Sequence, residues 1–249
     1  MIFDQEIILV LLIILASTLT RSTFGFGDAM VAMPLLSIVI GIKTATPLVA
    51  LIATTIASVI LIKQWKNVDL RSAWRLIISA IAGIPVGLYF LTELNENLVK
   101  GILAVIIILF SLYNLFRPRL ITLTNDRYAI FFGFAGGILG GAYNTNGPPA
   151  IIYGVLRQWD PARFRATLQG YFLPTGGFII VGHAIAGLWT REVLIDYLIV
   201  LPVVLIAIFT GSLLNRKIQM ESFNKYVYIM LVLLGSVLLL NSLNILIIK

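Results

Sequence analysis

Arg21 and Asp28 are the two ionisable residues in a stretch otherwise built from apolar and small side chains, LASTLTRSTFGFGDAMVAMPLL (15–36). Gly25 and Gly27 flank Phe26 immediately before Asp28, a spacing that stops one helix and starts another. The first turn of a helix leaves backbone N–H groups without partners, and those groups with the helix dipole favour an anion. Asp28 then has two readings: an N-cap carboxylate paired with Arg21, or a proton carrier. Arg21 has two as well: it pairs with Asp28 or reaches to water, or it contacts an anionic ligand. A second interruption, GGAYNTNGPPAI (140–151), has the same potential. Asn144, Thr145 and Asn146 precede Gly147, Pro148 and Pro149, and proline suits a first helical turn because its missing N–H is an orphan there anyway. A helix beginning near Pro148, capped by Asn or Thr, presents its N-terminus to this second break.

These residues sit in a chain made for lipid. Of 249 residues, 59% are hydrophobic and 12% charged, and the mean hydropathy is +1.01. A soluble domain is about 45–50% apolar and about 25% charged. The apolar runs are continuous rather than alternating, so the fold is an all-α polytopic membrane protein. The net charge of +7 does not point to nucleic acid, because the basic residues stand in short loops between spans as orientation signals. With no cysteine, disulfides, thiolate metal sites and cysteine nucleophiles are excluded, and no metal or other cofactor is called for. The absence of GxxxxGK[ST], HExxH and GxSxG argues against P-loop ATP hydrolysis and against a membrane protease or esterase. Residues 7–16 have the apolarity of a signal-peptide core, but the flank MIFDQE is acidic, so the segment is expected to stay in the mature protein.

The runs that could span are 5–23, 28–42, 45–63, 73–92, 97–116, 128–142, 148–156, 164–187, 192–214 and 225–247. Six are long enough to cross comfortably at about 20 residues each. The pairs 5–23 with 28–42 and 128–142 with 148–156 are broken hairpins with three short arms. Thirteen of the eighteen Lys and Arg fall in four clusters, at Lys63–Arg75, Arg117–Arg127, Arg157–Arg165 and Arg216–Lys225, against TELNEN (92–97) on the other side. The positive-inside rule makes those clusters cytoplasmic and both termini extracytoplasmic.

Each half then holds a hairpin and three crossings, an odd number that inverts one half against the other. The expected domains are a first repeat over 1–120 and a second over 121–249, integrated in one transmembrane unit. Aligning Pro34 with Pro149 sets Gly25 on Gly140, and a later slip sets Gly87 on Gly211. Inverted repeats with matching helix breaks point to a transporter site near the bilayer midplane. On the crossing helices, Thr54 and Gln169 hold comparable positions and are expected to face a shared cavity. Thr46, Thr55 and Ser58 read as interhelical hydrogen-bonding groups. His183 has two readings, an interfacial structural residue or a proton relay. Trp65, Trp74, Trp159 and Trp189 lie at span ends and read as an aromatic belt.

The motif GFGDAMVAMPLL (25–36), its counterpart GGILGGAYNTNGPPAIIYG (136–154) and RFRATLQGYF (163–172) resemble the TauE/SafE sulfite exporter family. The resemblance covers essentially the whole chain, as two halves of about 120 residues. The family's glycine triplet is interrupted here by Asp28 and Ala29 in the first half and by Tyr143 and Asn144 in the second. The resemblance implies a carrier in the inner membrane of a bacterium or archaeon for sulfite, sulfonates or related small anions, coupled to an ion gradient, with H+ one candidate. The substrate-binding set expected from the breaks is Arg21, Gly25, Gly27, Asp28, Asn144, Thr145, Asn146, Gly147, Gln169 and Thr54; Asp28 and His183 are the proton-coupling candidates. An anion channel and a subunit of a larger membrane complex are the alternative readings. The partners expected are the anion, the coupling ion and membrane lipids.

Overall fold

The computed structural model describes residues 5–64, 68, 70–116, 122–159, 161–214 and 220–244, and their regular structure is helical throughout. Ten helices follow one another: α1 (Gln5–Phe24), α2 (Asp28–Val39), α3 (Ile42–Gln64), α4 (Leu70–Glu93), α5 (Glu96–Phe116), α6 (Tyr128–Tyr143), α7 (Gly147–Leu156), α8 (Pro161–Ile185), α9 (Arg191–Leu214) and α10 (Met220–Ser242). Among the described residues, five of them, α1, α3, α4, α5 and α9, are long and apolar enough to cross a membrane. This differs from the expected six in three respects, one being α10, of which only Leu231–Ser242 counts as an apolar stretch among the described residues. α1, expected as a hairpin arm, is itself 20 residues long and apolar enough to cross. α8 spans 25 residues but is not among the five, and it buries Thr167, Gln169, Thr175 and His183. Among the basic clusters, Lys66, Arg117, Arg119, Arg216 and Lys217 lie outside the described residues, as does Trp65. The side chains of Lys63, Arg71, Arg165 and Lys225 lie outside them too.

Both breaks are closed by left-handed backbone. Gly25 and Gly27 have φ of 88° and 98°, and Asn144 has φ 53°, a region open to glycine and tolerated by asparagine. Asn144 N–H donates to Gly140 O at 2.8 Å and Thr145 N–H to Leu139 O at 3.1 Å, which caps the C-terminus of α6. Gly140, aligned with Gly25 in sequence, lies inside α6, and the left-handed residues that directly follow α1 and α6 are Gly25 and Asn144. Neither prolyl position marks the register: Pro34 is seven residues into α2, whereas Pro149 is three residues into α7.

Packing follows the glycines. α4 lies along α6, α1 along α9, α3 against α8, and α5 against α10, with α4 also touching α8 and α3 touching α9. Gly83 and Gly87 of α4 face the backbone of α6, and Gly133, Gly137 and Gly141 of α6 face the backbone of α4. A methyl group at Gly87 would stand 2.8 Å from Ala142 N, closer than any Cβ tolerates. Gly211 of α9 does the same against α1, where a Cβ would meet Ser22 Cβ at 2.6 Å and Leu19 O at 3.2 Å. Small residues of this kind let membrane helices approach backbone to backbone. The outer faces are apolar and exposed, for example Leu198, Ile206 and Phe209 of α9, as a lipid-covered surface requires.

Most of the small hydroxyls bond within their own helix. Thr46, Thr54 and Ser58 donate to the carbonyl four residues back at 2.7–2.8 Å. Thr55 alone of this group also crosses to a neighbour, 2.8 Å from Tyr197 Oη. The four-residue spacing explains the correction, since the i−4 carbonyl is within reach before any neighbour is. The ends of the second hairpin are tied together: Arg157 donates to Leu123 O, Thr124 O and Asp126, and Arg75 of α4 also pairs with Asp126. Trp159, at the junction of α7 and α8, packs edge-on against Tyr153 and Phe164. Gly154 leaves room for it, because a Cβ there would meet Trp159 Cε3 at 2.8 Å.

Candidate functional site

Polar side chains are buried mainly around the two breaks. The end of α1 brings Arg21 to the start of α2, where Nη1 donates to Asp28 Oδ2 at 2.7 Å, with the two side chains 4% and 11% exposed. Nη2 donates to Gln169 Oε1 at 3.1 Å, from the middle of α8. Gln169 returns Nε2 to Gly25 O at 2.6 Å, so it takes up a carbonyl left free by the first break. Phe172, one turn further along α8, lies under the guanidinium with 4.8 Å from Cζ to the ring centroid, a cation–π contact. Arg21 Nε is buried and has no hydrogen-bond partner.

From the other side, Asn146 Nδ2 donates to Thr175 Oγ1 at 3.0 Å, and Thr175 passes its own proton to Tyr171 O at 2.7 Å. The amide is thereby committed to α8, and neither expected cap forms. α2 has Gly27 at its N-cap and α7 has Asn146, and neither position makes a side-chain cap hydrogen bond. Asp28 is the first residue of α2, not its cap, because Arg21 draws its carboxylate away from the helix N–H groups. The first-turn N–H groups of α2 therefore face the break without a side-chain acceptor. In α7, Pro148 and Pro149 bring none, which leaves Gly147.

Both N-termini line one cavity together with Arg21, Asp28, Thr54, Asn144, Thr145, Asn146, Phe172 and Gly176. Ala53 and Phe172, also in its wall, stand at the middles of α3 and α8, about 18 Å from the helix ends. The space open to the centres of water molecules is about 20 Å³, room for one or two waters. A group of four or more heavy atoms does not fit in that space unless its walls move apart.

Of the ten residues expected at the site, eight line the cavity: Arg21, Gly27, Asp28, Thr54, Asn144, Thr145, Asn146 and Gly147. Gln169 and Gly25 stand behind it, joined to each other and to Arg21. His183 is elsewhere. It is fully buried rather than interfacial, with Nε2 3.4 Å from Gly141 O, two turns beyond Gly176. Phe172 and Thr175 were not among the residues expected at the site. The only signal for them was spacing: Phe172 lies three residues from Gln169 on the same side of α8, and Thr175 three residues beyond Phe172. Thr175→Val is expected to leave the Asn146 amide without this partner and to destabilise the protein by about 1–3 kcal/mol, measured by thermal unfolding in detergent.

A family model for the sulfite exporter TauE/SafE matches residues 9–238 of this chain. The chain belongs to the TauE/SafE family. A curated relative, the probable sulfite/organosulfonate exporter TauE of Cupriavidus necator, is 23% identical over 235 residues, covering 92% of each chain. No solved structure matches. The family is one of transporters, so this member is an integral membrane transporter and not an enzyme.

Proposed function

We propose that this TauE/SafE member carries small sulfur-containing anions, sulfite or organosulfonates, and holds them at the junction of its two helix breaks. The relative named for sulfite and organosulfonate supports the substrate class. One observation carries the site: two helix N-termini without side-chain caps meet a buried arginine in one cavity at the mid-length of α3 and α8. Backbone N–H groups and a guanidinium are the donors an oxyanion needs where water is excluded.

Alternating access by two inverted repeats is the movement we propose. The helix pairs support it. Exchanging α1–α5 with α6–α10 turns the α4–α6 contact into α9–α1 and the α4–α8 contact into α9–α3, while α3–α8 and α5–α10 map onto themselves. Gly87 abuts Ile138 and Gly211 abuts Leu19, and those partners stand at the same distance before their breaks. We place the chain in a bacterial or archaeal inner membrane with its basic loops cytoplasmic and its termini outside, transport being driven by an ion gradient.

Uptake of labelled sulfite and ethanesulfonate into proteoliposomes tests this reading, with Asn144→Gly as the variant. Glycine accepts the φ of 53° that alanine would not, so the change removes the side chain and spares the turn. Uptake is expected to fall at least about tenfold, the loss of one charge-assisted contact. Unchanged uptake in the variant removes Asn144 from the site. Currents far above carrier turnover would make the protein a channel.

A further inference from the structure

Arg21 does not wait in the cavity as a free cation. Its Nη1 is on Asp28 at 2.7 Å and its Nη2 on Gln169 at 3.1 Å, and Asp28 lines the same cavity. If the anion site proposed above holds, the incoming anion needs the donor that the protein's own carboxylate already occupies. Two negative charges cannot share one guanidinium in a space that excludes water without one being neutralised.

We propose that Asp28 is a built-in counter-anion which the substrate displaces only when it takes up a proton. The proton adds to the Asp28 carboxylate, the Arg21–Asp28 ion pair opens, and the anion takes the vacated N–H groups. The charges balance in both forms. Empty, the site holds Arg21 as a cation and Asp28 as an anion; loaded with a monoanion, it holds the Arg21 cation, a neutral Asp28 and the substrate. Each is neutral overall, so one proton crosses with each monoanion and the step moves no net charge. Net flux then follows the product of proton and anion concentrations on the two sides.

Asp28 is the one acidic side chain that lines the cavity among the described residues. Arg21 from α1 is the one other charged residue lining the cavity among those described. α8 offers the neutral Gln169, and its Tyr171 turns its hydroxyl toward Gly136 of α6. α10 brings Tyr228 to a small adjoining cavity beside Gly27 and Met30. Lys43 on α3 and the Glu96–Lys100 pair on α5 lie beyond the far end of α2, where Glu96 Oε1 bonds Lys100 at 2.9 Å. Glu192 and Asp196 lie in the first two turns of α9, well away from α9's Gly211 contact with α1.

Ethanesulfonate is the probe, because a sulfonate stays a monoanion across the working pH range and any pH dependence then belongs to the protein. Binding to the purified wild type in a weakly buffered solution is expected to take up about one proton per anion. Its affinity is expected to fall about tenfold per unit rise in pH over the range in which binding takes up that proton. In Asp28→Asn, whatever its absolute rate, proton uptake on binding and the pH dependence of ethanesulfonate counterflow both disappear. Wild-type binding with no proton uptake and a flat pH profile overturns the proposal, and needs no variant to fold. Proton uptake that persists in Asp28→Asn overturns the assignment to Asp28. A wild type that binds no ethanesulfonate at all overturns the site reading beneath it, and the coupling with it.

Discussion

Arg21→Ala is expected to reduce anion transport by at least about 30-fold, from the loss of about 2–5 kcal/mol that truncating a buried, hydrogen-bonded charge costs. Arg21 is one side chain doing three things: it pairs with Asp28, bonds Gln169 and stacks on Phe172. Alanine removes all three and leaves Asp28 as a buried carboxylate without a cation, which costs about 3–5 kcal/mol of stability. A fall in transport alone would therefore not separate binding from folding. The double variant Arg21→Ala, Asp28→Asn does separate them, because it removes the orphaned charge with its partner. It is expected to recover most of the thermal stability in detergent and none of the transport. Arg21→Lys should fall between, since a single ammonium cannot span Asp28 and Gln169 as the planar guanidinium does. Recovery of transport in the double variant would remove Arg21 from the binding site.

The second large effect concerns two glycines on helices that answer the same substitution with opposite sign. A Cβ at Gly137 would enter the backbone of Ala80 on α4, while a Cβ at Gly177 would meet nothing within 4 Å. Backbone cannot rotate aside as a side chain can. Gly137→Ala is expected to destabilise the protein by about 1–3 kcal/mol, the usual penalty of overpacking, despite alanine's better helix propensity. Gly177→Ala keeps only the propensity gain, up to about 1 kcal/mol. Thermal unfolding of the two variants in the same detergent measures the difference. Equal shifts would mean that α4 and α6 are not held at backbone contact.

The elements at the site were legible because the breaks are written in residue types with few alternatives. Gly25, Gly27 and Asn144 are where the backbone turns left-handed, and glycine and asparagine are the residues that allow it. The short arms α2, α6 and α7 followed from their interruptions in the same way. Side-chain commitments were less legible. Asp28 and Asn146 both look like caps in sequence, but a guanidinium seven residues back and a threonine 29 residues on outcompete the backbone for them. Nothing local announces a partner on another helix. Phe172 shows the same limit, since an aromatic residue in an apolar helix reads as lipid-facing or core until an arginine from α1 is found beside it. His183 was placed at the membrane interface by its position near a helix end, yet it is fully buried, while Trp159 packs on the rings of Tyr153 and Phe164. Gly141 and Gly154 lie where they settle, and sequence distance hides that as well.

The most direct test of the central claim is a structure with 2-bromoethanesulfonate bound, located by the anomalous signal of its bromine. One site is expected between the two breaks, with sulfonate oxygens about 3 Å from the Arg21 guanidinium and from first-turn N–H groups of α2 and α7, and with the cavity widened from its present 20 Å³. Bromine in the apolar groove between α5 and α10, lined by Leu98, Val105 and Leu239, with Arg21 still closed on Asp28, would contradict it.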